Sequence, residues 1–129
     1  MKKSTISFSD TKSLLGLFVI SLSFLAGMVF HHGWANYNQD NPLEYTGIIL
    51  SNDIGNPHTY IDFEVIGEDD MVWEVVLAPL SRMRNRGLSD DSMLAVGDTV
   101  SVVGYQHRTI ENEMRAERII IGDLTIELR

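Results

Sequence analysis

The sequence predicts a mainly β protein: a small OB-like barrel of five to six strands, with one short helix between strands three and four and an apolar helix before the barrel. Three observations lead there. From Leu43 onward the apolar residues recur with a period of two, the signature of half-buried strands. Clusters of Gly, Asn, Asp and Pro cut that alternation into short runs. One helical segment then follows the third run, and three strands, a helix and two or three further strands is the order of the OB fold. Another small β-barrel and a plain meander with one helix are the alternatives.

Before the barrel, Lys2, Lys3 and Lys12 precede "LLGLFVISLSFLAGMVF", which runs from Leu14 to Phe30 without a charge. A basic flank ahead of an apolar run is an export signal, either cleaved or kept as an anchor. The run is about the shortest that spans a bilayer. Cleavage favours small residues at the last and third-last positions, and the end of the run offers few: Ala26 has Phe24 before it, and Gly27 has Leu25. The best small-x-small pair, Gly33 and Ala35, would remove both neighbouring histidines. The expectation is therefore a membrane anchor over residues 14–30. It leaves the rest on the periplasmic side of the cytoplasmic membrane, or secreted to the periplasm if the segment is cleaved. Trp34 and Tyr37 then fall near the interface, where aromatic rings are favoured. The domain reading is 1–30 as signal sequence or anchor, 31–42 as a polar linker carrying His31 and His32, and 43–129 as the barrel.

Within the barrel, "EYTGIIL" (Glu44 to Leu50) is rich in strand formers and ends at the turn cluster "SNDIGNP". In "TYIDFEVI", Ile61, Phe63 and Val65 share one face while Asp62 and Glu64 take the other. After "EDD", the run "MVWEVVL" puts Met71, Trp73, Val75 and Leu77 together and turns Glu74 outward. The helix is read from "APLSRMRNRGL". Pro79 suits its start, Gly87 suits the residue past its end, and Leu80 and Met83 share a face. "SDDSMLAVGD" is a turn or irregular helix leading into the strand "TVSVVGY". "EMRAERIII" is the next strand, and Gly122-Asp123 turns the chain tightly into "LTIEL".

Composition narrows the function. The chain has 129 residues, a net charge of -8 and no cysteine. Beyond Phe30 it carries 7 basic and 17 acidic side chains. Such a field repels phosphate, which argues against a nucleic-acid partner. Without cysteine there is no disulfide, zinc–thiolate site or thiol catalysis.

The order and spacing of "HHGWA", "NPHTYI", "WEVVLAPLSRMRNRGL", "VGDTVSVVGY" and "RAERI" resembles a family of small exported bacterial proteins of unknown function. Its members pair a signal sequence ending in His-His-Gly or His-His-Ser with an Asn-Pro-His motif and a Gly-Asp step before a late strand. The likeness covers nearly everything after Val29, and it implies export and a small β domain. The chain departs from it in placing Val29-Phe30 before the histidine pair, where alanine is common.

His31, His32 and His58 are the one chemistry-bearing cluster that the sequence offers, with His107 as a further member. Imidazoles suit copper, zinc or nickel, and an OB layout puts His58 and His107 in the two loops that flank the usual binding face. The bland alternative is a polar edge at the membrane boundary and a turn histidine bonded to backbone. None of the four shows the i, i+4 helical spacing of a strong zinc motif. Arg82 and Arg86, four apart on the helix, share a face that suits a carboxylate or phosphate; the alternative is a solvated helix end. "EDD" at Glu68–Asp70 and Asp90-Asp91 match no calcium loop.

No Ser-His-Asp order, phosphate loop or paired-carboxylate motif stands out, so an enzyme is not expected. The leading expectation is an extracytoplasmic, membrane-tethered binding module with an envelope protein or small ligand as its partner. The alternative is an envelope protein that binds copper or another transition metal through His31, His32 and His58.

Overall fold

The computed structural model describes residues 33–55 and 57–129. The chain divides into two compact units, residues 1–35 and 36–129, and the barrel is the second. The expected apolar helix, the anchor over residues 14–30, and His31 and His32 lie outside the described residues. Among the described residues, no helix is long and apolar enough to cross a membrane.

Six strands form one sheet: β1 Tyr37–Asp53, β2 Tyr60–Val65, β3 Val72–Val76, β4 Thr99–His107, β5 Glu113–Ile121 and β6 Leu124–Glu127. They hydrogen-bond in the order β3-β2-β1-β4-β5-β6, and a further pairing of β3 with β5 closes a ring through five of them. That closing pair is parallel, whereas the other pairings are antiparallel. A short helix, α1 (Leu80–Asn85), lies between β3 and β4, so the sheet is the OB-like barrel that the strand order predicts. β6 folds back on β5 through the Gly122 turn, where φ is 58°.

The first strand departs from the expected boundary. It begins at Tyr37 rather than near Leu43, because Tyr37 pairs with His107 and Pro42 with Tyr105 on β4, with an irregular register between them. A polar, turn-rich stretch reads as linker on composition alone; here β4 pairs with both of its ends.

Alternation in β2 and β3 sets the core. Ile61, Phe63, Val65, Trp73 and Val75 point inward and are buried, while Glu64 and Glu74 are exposed. From β4 and β5, Val100, Val102, Met114 and Ile119 meet them, and Met83 of α1 joins the same cluster fully buried. α1 ends where expected. Gly87 adopts φ 119°, and the Leu88 N–H returns to the Met83 carbonyl at 3.0 Å, satisfying an end carbonyl. Gly47 lets strands approach closely. It pairs with Val65 on one side and Val100 on the other, and a Cβ there would collide with the Phe63 ring and the Glu64 carbonyl.

Candidate binding face

The outward residues of the barrel fall into cross-strand rows, because side chains opposite each other in a sheet share a face. One row runs Ser51–Asp62–Glu74–Glu113 across β1, β2, β3 and β5. The next runs Tyr60–Val76–Arg115–Tyr105 across β2, β3, β5 and β4, with Val76 itself buried. Together they form the strand face between the β1–β2 and β4–β5 loops, where OB folds take ligands.

The first row crowds three carboxylates. Glu74 is pushed above its ordinary value of 4.5 by burial, then by the charges of Glu113 and Asp62. Each flanking acid has one hydroxyl donor: Ser51 Oγ donates to Asp62 Oδ2 at 2.7 Å, and the Tyr37 hydroxyl donates to Glu113 Oε1 at 2.5 Å. Burial raises the Tyr37 phenol strongly, followed by its bond to Glu113, so the hydroxyl stays a donor. A shallow groove lies against this row, lined by Asp53, Tyr60, Asp62 and Glu74 among others.

The second row carries Arg115, between Val76 and Tyr105. Burial lowers its guanidinium, and Tyr37, Arg82, Tyr60 and Arg129 lie within its field. Two histidines frame the face, His58 from the β1–β2 loop and His107 from the end of β4 rather than from the loop expected to hold it, because it pairs with Tyr37. His58 is edge-on to Tyr60 at 6.3 Å between ring centroids, and His107 is edge-on to Tyr37 at 5.0 Å.

Their ring nitrogens are used differently. His58 Nδ1 lies 3.2 Å from the Leu77 carbonyl oxygen, which only accepts, so in the neutral ring that nitrogen carries the proton and Nε2 the lone pair. His107, the last residue of β4, instead accepts at Nδ1 from the Thr109 and Ile110 N–H groups at 3.2 and 3.0 Å. Its proton is therefore on Nε2. Among the described residues, no group of three or more His, Asp or Glu side chains is arranged to hold a metal ion. Asn56 of the Asn-Pro-His motif, like His31 and His32, lies outside those residues.

Arg82 and Arg86 both face the end of the chain. Arg82 Nη1 donates to the Leu128 carbonyl at 3.1 Å, and Arg86 Nη1 donates to the carbonyls of Glu127 and Arg129, both at 2.7 Å. Leu128 N–H pairs with Glu117 of β5, so the Glu127 and Arg129 carbonyls lie on the open edge of β6, and Arg86 caps that edge. Arg84 makes a two-pronged ion pair with Asp91 at 2.9 and 2.8 Å.

Sequence reasoning turned Asp62 and Glu74 outward but did not join them to Glu113, Arg115, Tyr37 and Tyr60. The signal for each strand's phase was present. The parallel pairing of β3 with β5 has no local signature.

Fold and face define a class: a small OB-like barrel with a carboxylate row and an arginine–tyrosine row on its strand face. The chain belongs to the family of unknown function DUF6152, whose sequence pattern matches residues 19–114. A comparison with curated proteins finds no match.

Proposed function

We propose that the protein is a binding module of the bacterial envelope, tethered by residues 14–30 to the periplasmic side of the cytoplasmic membrane. Its strand face docks a basic polypeptide. The observation that carries this reading is the row Asp62–Glu74–Glu113, three carboxylates held side by side on an outward face. Like charges in one row repel, and a Lys or Arg placed over them relieves the repulsion. The row spans β2, β3 and β5, about 10 Å at ordinary strand spacing. An open groove of that breadth suits a polymer better than a small ligand, which needs a concave pocket that covers most of its surface.

The test is anisotropy of a fluorescent oligolysine peptide added to the full chain. Asp62→Asn with Glu74→Gln is expected to weaken binding tenfold or more, while Asp40→Asn with Asp123→Asn changes it little. Equal losses from the two pairs would leave only nonspecific attraction to an acidic protein. For the tether, the protein is expected to fractionate with membranes at the mass of the full chain. A soluble periplasmic form starting at His31 or Asn36 would overturn it.

One observation favours the metal reading as an alternative: the proton on His58 Nδ1 leaves Nε2 as a ligand atom. Copper held by that atom needs further imidazoles, and His31 and His32 are the candidates in the sequence. Calorimetric titration of the full chain with copper, with and without His58→Ala, decides it. Equal affinities would remove His58 from any such site.

A further inference from the structure

A second groove lies at the other end of β2, where β1 passes the β2–β3 turn. It is lined by Ile48 and Ile66 and rimmed by Glu64, Glu68, Asp69 and Asp70, and none of the described residues in its wall is basic. Ile48 and Ile66 are 38% and 55% exposed, and Leu50, two residues beyond Ile48 on β1, is 45% exposed. A contiguous exposed apolar patch rimmed by polar residues is the form an interaction surface takes.

The groove is also held in shape. Ile66 N–H donates to the Thr46 carbonyl at 2.9 Å, which extends the β1–β2 pairing beyond the end of β2. Val65 N–H donates to the Met71 carbonyl at 2.9 Å, closing the turn beneath it. A socket already in its bound shape loses little conformational freedom on docking. It is continuous with the carboxylate row, since Glu64 and Asp62 project from the same face of β2.

We propose that this groove is the apolar anchor point of the docking face, and that its occupant is an amphipathic basic segment of a partner polypeptide. A large aliphatic side chain of that segment seats between Ile48 and Ile66, and flanking Lys or Arg residues pair with Glu64, Glu68, Asp69 and Asp70. The inference rests on the reading that the strand face docks a basic polypeptide, and adds that the partner must carry apolar residues among its charges. The acidic rim sets the partner's chemistry. Phosphate headgroups and nucleic acid are repelled by it, and a second copy of a chain with net charge -8 would press two acidic rims together.

The test uses the full chain in nanodiscs and two labelled synthetic peptides of equal length and charge, one alternating Lys with Leu and one alternating Lys with Ser. The leucine peptide is expected to bind at least tenfold more tightly. Ile66→Ser, at an exposed position that tolerates a polar residue, is expected to remove that advantage while leaving the serine peptide's affinity unchanged. Glu68→Gln with Asp69→Asn should weaken both peptides. The same nanodiscs carry every variant, so peptide bound to lipid cancels. Equal binding of the two peptides, or an advantage that survives Ile66→Ser, overturns the apolar anchor and leaves the basic-polypeptide reading standing. Failure of both peptides to bind overturns the two together. A dimer in light scattering that Ile66→Ser separates assigns the groove to a second copy and overturns the proposal.

Discussion

The Tyr37 hydroxyl donates to Glu113 across 76 residues of chain, joining the first residue of β1 to the first of β5. Tyr37 is buried, and its partner belongs to the carboxylate row of the strand face. One bond therefore ties the start of the barrel to the charge balance of its candidate site.

Replacing Tyr37 with Phe keeps the ring and removes the donor. Hydrogen bonds to charged groups contribute about 1.5–3 kcal/mol, so Tyr37→Phe should destabilise the barrel by an amount in that range. Urea unfolding checks it, through a lower midpoint at an unchanged slope. A Phe variant as stable as the parent would mean that Glu113 is equally well solvated without the phenol.

Glu74 predicts a pH dependence. Its carboxyl is raised above 4.5, chiefly by burial and then by Glu113 and Asp62. A carboxyl raised in the folded state holds its proton more tightly there. Stability from this group is therefore highest below the ordinary value, falls as pH rises through the raised one, and stays reduced above it. Glu74→Gln should be slightly more stable than the parent at neutral pH, and the two should converge in acid. Unfolding midpoints at both ends of that range are the measurement; a gap that persists in acid would point to some cause other than charge.

Gly47 tests the close approach of β1 to β2. Overpacking a filled site costs about 1–3 kcal/mol, and Gly47→Ala should reach the upper part of that range because the Glu64 backbone cannot move aside as a side chain can. Gly122→Asn is the contrast. A Cβ at Gly122 meets nothing within 4 Å, and Asn tolerates its φ of 58° better than most residues. Thermal unfolding of the two variants should separate them clearly.

Trp73 is 5% exposed and packs beside Tyr45 at 5.6 Å between ring centroids. Trp73→Ala should cost about 3–5 kcal/mol, as emptying a large aromatic site does. Among the described residues its indole N–H has no hydrogen-bond partner, so Trp73→Phe gives up no polar contact there and should cost much less. Similar losses for the two variants would show that packing volume is not what Trp73 contributes.

What the sequence determined by itself is what short-range physics encodes. The period of two turned Phe63 and Trp73 inward and Asp62 and Glu74 outward, and Pro79 and Gly87 bracketed the helix between β3 and β4. That order of elements was enough to reach an OB-like barrel. Only the tertiary structure decided which outward residues meet. Glu74 and Glu113 lie 39 positions apart and become neighbours through the parallel closure of β3 on β5, a pairing set by how the whole barrel closes. A different long-range pairing, that of β1 with β4, drew polar Tyr37–Pro42 into β1, because the backbone bonds offered by β4 outweigh a local preference for turns. Only the closed barrel also brings the chain from Glu127 to Arg129 beside α1, where Arg82 and Arg86 donate to its carbonyls.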